Sequence, residues 1–370
     1  MDHEHDSIAL QEVRSAPGAS RPAASADDLR RWLASGRCQS PGGAFYAWID
    51  GTTGAPSFEY PEITGYALTH FAGLKDLRDD ELAAGHAAAR WLIERFSRQD
   101  FSARANWDDN TVYNFDLGMI ATGLLTFGSR IDEAWYIAAG KSLVCSMQTQ
   151  LEGDRPFSSL RPDRLSQSSH SGWATEGHAH LLKIVQSFLV ADQLGQPGAG
   201  GAATKLISQI VAMQQEDGRF ITQPGDALTM LHPHLYAVEG LWMLGTARGD
   251  AAAIRRAQAA IRWVWEHQMD TGGFPRFVAI QPDQSIPPEQ IDVTSQAVRM
   301  ALALDPEIPG LPRAIARLTQ IARNDTGGMA LPYQPTATEL HLNVWVTLFG
   351  HQALTMAEKG PSVLDWQYLV

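Results

Sequence analysis

The sequence predicts an all-α toroid built from six helical hairpins, and three observations carry that expectation. Short turns rich in Gly, Asp and an aromatic or Met recur at 97–101, 150–157, 215–220, 270–274 and 325–329. Polar or aromatic clusters centred on Glu62, Asp116, Glu176, His232, Asp292 and His341 reopen the helical pattern, at intervals of 49 to 60 residues. Within each hairpin the first helix is apolar nearly all round, and the second is apolar on one side only. A fixed period of this size marks one supersecondary unit that needs its neighbours to bury its apolar face. First helices then form an inner ring and second helices an outer one.

The elements follow in order. Residues 1–26, rich in Ala, Ser, Pro and acid, read as a flexible arm, and 27–370 as a single toroid domain. Asp27 and Asp28 are placed to cap a helix running through Leu29, Trp32 and Leu33. Hairpin one pairs 63–74 with 81–96, and Pro61 with Glu62 reads as its start. Hairpin two pairs 115–126 with 133–148; hairpin three pairs 176–194 with 202–214, across a Gly-rich turn. Hairpin four pairs 235–246 with 251–267, and hairpin five pairs 293–304 with 311–323. The last helix, 342–358, lacks a following partner, so the Trp32 helix is assigned to close the ring. Gly65, Gly118, Gly123 and Gly240 allow close approach of inner helices. Strand signals are weak and confined to turns, as at 276–280.

Composition narrows the function classes. Apolar residues make up 44% of the 370 positions and charged residues 19%, as in a globular protein. The net charge of −12, with no Lys/Arg run longer than two, argues against nucleic acid as a partner. No stretch approaches the ~20 apolar residues of a membrane span, and the acidic start is no secretory signal. The expected location is cytoplasmic. Cys38 and Cys145 give no disulfide framework and are expected to be free. Metal motifs, Gly-x-Ser-x-Gly and the phosphate loop are absent, so neither metal nor cofactor is expected. His3 and His5 read as a stray pair on the arm.

If the inner helices run parallel, their N-termini share one mouth, with free N–H groups and positive dipole ends. The chain places its unusual residues at those starts: Tyr60 and Glu62, Tyr113 and Asp116, His170, Trp173 and Glu176, His232, His234 and Tyr236, Asp292, then His341, Asn343 and Trp345. Aromatic faces stack on sugar C–H faces, while acids and imidazoles hold hydroxyls and move protons. A carbohydrate is therefore the expected substrate, with the helix ends hinting at an anionic one. Asp116 and Asp292 also fit a helix-capping role. Glu239, inside an apolar helix, demands a partner.

The segments 60–66, 115–118, 232–241 and 343–347 resemble the six-hairpin glycosidase superfamily, over about residues 45–358. The resemblance is strongest to members associated with bacterial polysaccharide biosynthesis, and more distant to N-acylglucosamine 2-epimerase-like proteins. It implies the (α/α)6 toroid. It also implies two chemistries without a redox cofactor. As a glycoside hydrolase, the narrowly leading expectation, Asp116 with Glu62 or Asp292 would be acid and base. As an epimerase or isomerase, His232 or His234 with His341 would move the proton beside a carbonyl. A glycan-binding toroid without turnover is the third reading. The sugar, its linkage and the oligomeric state stay open.

Overall fold

Tyr60 is extended, Pro61 takes the first helical position and Glu62 sits in the first turn, so the first inner helix starts where local rules put it. The computed structural model describes residues 23–97, 112–151, 159–160, 174, 177–223, 225, 227–280, 287–335 and 340–370. The predicted arm, with His3 and His5, lies almost wholly outside them. At its described end Ala24 and Ala26 are buried, and the Ala24 N–H donates to Thr319 O at 3.1 Å.

The helices are α1 (Ala26–Ala34), α2 (Pro61–Gly73), α3 (Asp79–Ser97), α4 (Asn114–Arg130), α5 (Ala134–Gln150), α6 (Val185–Gln193), α7 (Ala199–Ile210), α8 (Leu231–Arg248), α9 (Ala251–Trp265), α10 (Ile291–Leu304), α11 (Leu311–Ile321) and α12 (Val344–Lys359). Inner helices α2, α4, α6, α8, α10 and α12 touch in that order, and α12 returns to α2, which closes the ring. Each packs against its outer partner: α3, α5, α7, α9 and α11 in turn, and α1 against α12. The expected closure by the Trp32 helix is therefore present. Its cap differs from expectation. Ser25 is the N-cap, and Asp28 returns a bond to the Ser25 N–H, forming a capping box.

Burial follows the predicted two rings. Every residue of α4 from Asn114 to Gly128 is buried, whereas α9 buries one face through Ala253, Ala257, Ala260, Ile261 and Val264. Glycine lets inner helices meet backbone to backbone. A Cβ on Gly123 would lie 2.3 Å from Gly65 O, and one on Gly240 would lie 2.1 Å from Leu182 O. Leu182 belongs to a 3-10 turn, Ala179–Ile184, which leads into α6. The third inner segment is thus wound tighter than the continuous α-helix expected from residue 176.

Short antiparallel pairs connect the hairpins: β1 (Trp48–Asp50) with β8 (His341–Asn343), β2 (Val112–Tyr113) with β3 (Ser159–Leu160), β4 (Leu228–Met230) with β5 (Phe277–Ala279), and β6 (Arg323–Asp325) with β7 (Gly328–Ala330). The β1–β8 pair joins the segment before α2 to the segment before α12. At the other end of the inner ring, Trp366, Leu369 and Val370 are buried. Their segment is tied to the inner helices by Gln186 Nε2 to Leu369 O (2.9 Å), Arg299 Nη1 to Val370 O (2.6 Å) and Gln352 Nε2 to Tyr368 O (2.7 Å). Cys38 is buried, Cys145 is exposed, and both are free.

Candidate functional site

The starts of the inner segments converge. A cavity of about 140 Å³ is lined by Tyr60 and Glu62 from α2, Tyr113 and Phe115 at α4, and Ala174 and His180 ahead of α6. His232 and Tyr236 of α8, Asp292 of α10, Trp345 of α12 and Tyr333 complete it. All six inner segments contribute, so the shared rim expected from the sequence exists. No Lys or Arg lines this basin among the described residues.

His232 and Asp292 form its polar centre. His232 Nδ1 lies 2.8 Å from Gln296 Oε1 and 3.2 Å from Asp292 Oδ2. Both partners accept, so the ring carries its proton on Nδ1, and Nε2 keeps a lone pair. Tyr236 packs at 4.4 Å and Phe349 at 6.4 Å from the ring. Burial lowers the His232 pKa, against the opposing pull of Asp292. The imidazole is therefore neutral at pH 7.

Asp292 is almost wholly buried, and burial raises its carboxyl pKa; the donors around it work in the opposite direction. These are the Val293 N–H (2.8 Å), the Gln290 amide (3.2 Å), the Trp345 indole and His232. Surrounded by donors, this carboxylate serves to orient and to accept rather than to deliver a proton. Tyr236 donates to or accepts from Tyr66 across a 2.8 Å hydroxyl pair, and burial raises both phenol pKa values.

Other candidates lie elsewhere. His234 is fully buried, receives the Phe220 N–H at Nδ1 (3.2 Å) and gives its Nε2 proton to Ala260 O (3.1 Å). It holds α8 to the outer layer and does not line the basin, because it lies two helical residues from His232 and so on a different side. His341 sits on β8, stacked on Trp48 at 4.6 Å, and is also outside the lining. The helix expected to open at His341 instead opens at Val344, after β8 has paired with β1. Asn343 is the α12 N-cap, accepting the Val346 N–H at 3.1 Å. Asp116 is buried in the first turn of α4, beside Phe115 but not in the lining. His170, Trp173 and Glu176 fall outside the described residues.

Sequence reasoning placed Phe115 at the mouth but did not assign His180 or Tyr333 to the lining. His180 is buried with its ring 5.7 Å from Phe115. It opens the third inner segment, and that position alone was signal enough. Phe115, beside Asp116, carried the same signal. Tyr333, which receives the Gln290 amide at its hydroxyl, comes from a connection that no periodicity marks.

Comparison with known proteins places this geometry. No family model matches the sequence, and no curated protein matches it. Solved structures do match. The unsaturated glucuronyl hydrolase from Bacillus sp. GL1, responsible for the degradation of glycosaminoglycan, superposes with a TM-score of 0.66 at 12% identity, covering 92% of this chain and 97% of that one. Cellobiose 2-epimerase from Bacillus thermoamylovorans B4167 gives 0.68 at 11%, covering 88% and 98%. A D-mannose isomerase gives 0.68 at 13%, covering 90% and 96%. The closed double ring of helical hairpins in this chain is the (α/α)6 toroid fold that these solved structures share.

Proposed function

We propose that this chain is a carbohydrate-active enzyme that isomerises or epimerises a reducing sugar in the basin. The observation that carries this reading is the Asp292–His232 pair in the basin, with the imidazole proton held on Nδ1 and the lone pair on Nε2. A neutral imidazole is the commonest biological base for a proton next to a carbonyl, and such groups contribute about 10²- to 10⁴-fold. In the proposed reaction His232 Nε2 takes the proton from the carbon beside the open-chain carbonyl. The C–H electron pair becomes an enediolate, and the carbonyl oxygen gains the negative charge. Return of a proton to the opposite face of the same carbon gives the epimer. Return to the neighbouring carbon, with a proton shift between oxygens, gives the isomer. His180, in the same lining, is the proposed second proton carrier. Tyr60, Tyr113, Tyr236 and Trp345 are the proposed sugar-binding surface. No redox step is involved, so the reaction balances without a cofactor.

A hydrolytic reading has its own support: the carboxyl groups of Glu62 and Asp292 line one cavity, with Asp116 in the adjacent first turn of α4. The structural neighbours include both chemistries. One experiment separates them. Reducing mono- and disaccharides are incubated with the protein in D2O and followed by proton NMR. Loss of the C2 proton signal, abolished in His232→Asn, supports proton transfer at carbon. Bond cleavage without that exchange, lost in Glu62→Gln or Asp116→Asn and kept in His232→Asn, supports hydrolysis instead. Saturable binding with neither change points to a glycan-binding toroid.

A further inference from the structure

We infer that Gln296 is a positioning residue that sets the tautomer of His232, and that the buried Lys183–Glu239–Arg299 cluster sets the orientation of Gln296. The inference rests on the reading of His232 as the base, but its geometry and test do not need turnover. A glutamine amide can sit either way round. Here Gln296 Nε2 donates to Glu239 Oε1 at 3.2 Å, which leaves Gln296 Oε1 facing His232 Nδ1 at 2.8 Å. The flipped amide would turn its carbonyl oxygen onto a carboxylate and its NH2 onto the imidazole, so Glu239 forbids it.

Glu239 is in turn held in place. Its Oε2 lies 2.9 Å from Lys183 Nζ and its Oε1 lies 2.7 Å from Arg299 Nη2, with all three side chains fully buried. Two cations hold one carboxylate, whose oxygens are thereby fixed in place to accept. Arg299 is fixed further by Gln352 Oε1 at 2.8 Å and by Val370 O. Among the described residues, Asp292, Gln296, Tyr236 and Phe349 face His232 directly, with Glu239 and Arg299 acting from behind. The polar core of the ring thus does more than satisfy itself: it ends on the imidazole read as the base of the basin.

The test is long-range proton–nitrogen NMR on the full-length ¹⁵N-labelled protein at neutral pH. His232 signals are assigned by their loss in His232→Asn. The expected wild-type pattern is a protonated-type Nδ1 and an unprotonated Nε2. Gln296→Leu should move both nitrogens part-way toward exchange-averaged values, Asp292 alone then accepting from Nδ1, and Glu239→Gln, which removes the carboxylate that holds the Gln296 amide, should move them in the same direction. Where a sugar is turned over, Gln296→Leu should lower kcat about ten- to a hundredfold with KM nearly unchanged. A wild-type His232 protonated on Nε2, or a Gln296→Leu spectrum identical to wild type, overturns the assignment. If Gln296→Leu does not fold, the wild-type and Glu239→Gln spectra decide it. Absence of sugar turnover in the wild type removes the proposed function and leaves this result standing or falling alone.

Discussion

Lys183 Nζ lies 2.9 Å from Glu239 Oε2 at the centre of the inner ring, and neither side chain has any exposed surface. Arg299 holds the other oxygen. Removing the acid would leave two cations without their counter-charge in a low-dielectric core. Glu239→Leu should therefore lose about 3–5 kcal/mol of stability, read by urea denaturation. Arg31→Ala, which breaks exposed pairs with Asp27 and Asp28, should change stability by less than about 1 kcal/mol. Equal effects of the two substitutions would refute the assigned weight of the buried cluster.

The contact of α2 with α4 depends on two glycines. A methyl group at Gly123 would be driven into Gly65 O, and neither backbone can yield without moving its helix. Gly123→Ala is expected to cost about 1–3 kcal/mol or more. Gly201, exposed on α7, has open space around its would-be Cβ. Gly201→Ala should stabilise by about 0.5–1 kcal/mol through helix propensity. Thermal unfolding of the two variants should shift in opposite directions.

Acid should weaken the fold through His234. Burial lowers its pKa from 6.5 to about 4. Between those values the unfolded chain binds a proton that the folded chain refuses. Stability from this group is therefore complete above pH 6.5 and is lost as pH falls toward 4. The loss is on the order of 3 kcal/mol. His234→Gln keeps one acceptor for Phe220 and one donor for Ala260 without titrating. Its stability should fall less steeply with pH, by about one proton at pH 5. A slope unchanged from wild type would rule His234 out as the source.

Trp345 lines the basin half-buried and donates to Asp292. Binding of a sugar there should alter tryptophan fluorescence, and Trp345→Phe should abolish most of the change. Loss of the indole contact should weaken binding by about 0.5–1.5 kcal/mol, up to roughly tenfold. An undiminished fluorescence response in Trp345→Phe would place the sugar elsewhere.

Much of the architecture was legible because it is written locally. Turn chemistry marked the repeats, all-round apolarity marked α4 and α8, and Gly65 and Gly123 announced close helix contact. The unpartnered last helix identified α1 as its mate. The site was legible only to the level of which helix starts meet. Glu239 advertised its need for a partner, yet Lys183 and Arg299 stand 56 and 60 residues away in sequence and meet it only because the ring closes. His232 and His234 looked equivalent, but two residues along a helix is a turn of about 200°, which sends one to the basin and the other to the outer layer. His341 was misplaced because a strand pairing, which helical periodicity does not report, occupies the residues before α12.

The segment ending in Leu369 and Val370 stoppers the ring from behind. A polymer consequently has no through-route along the axis. Whatever enters the basin must back out by the same door.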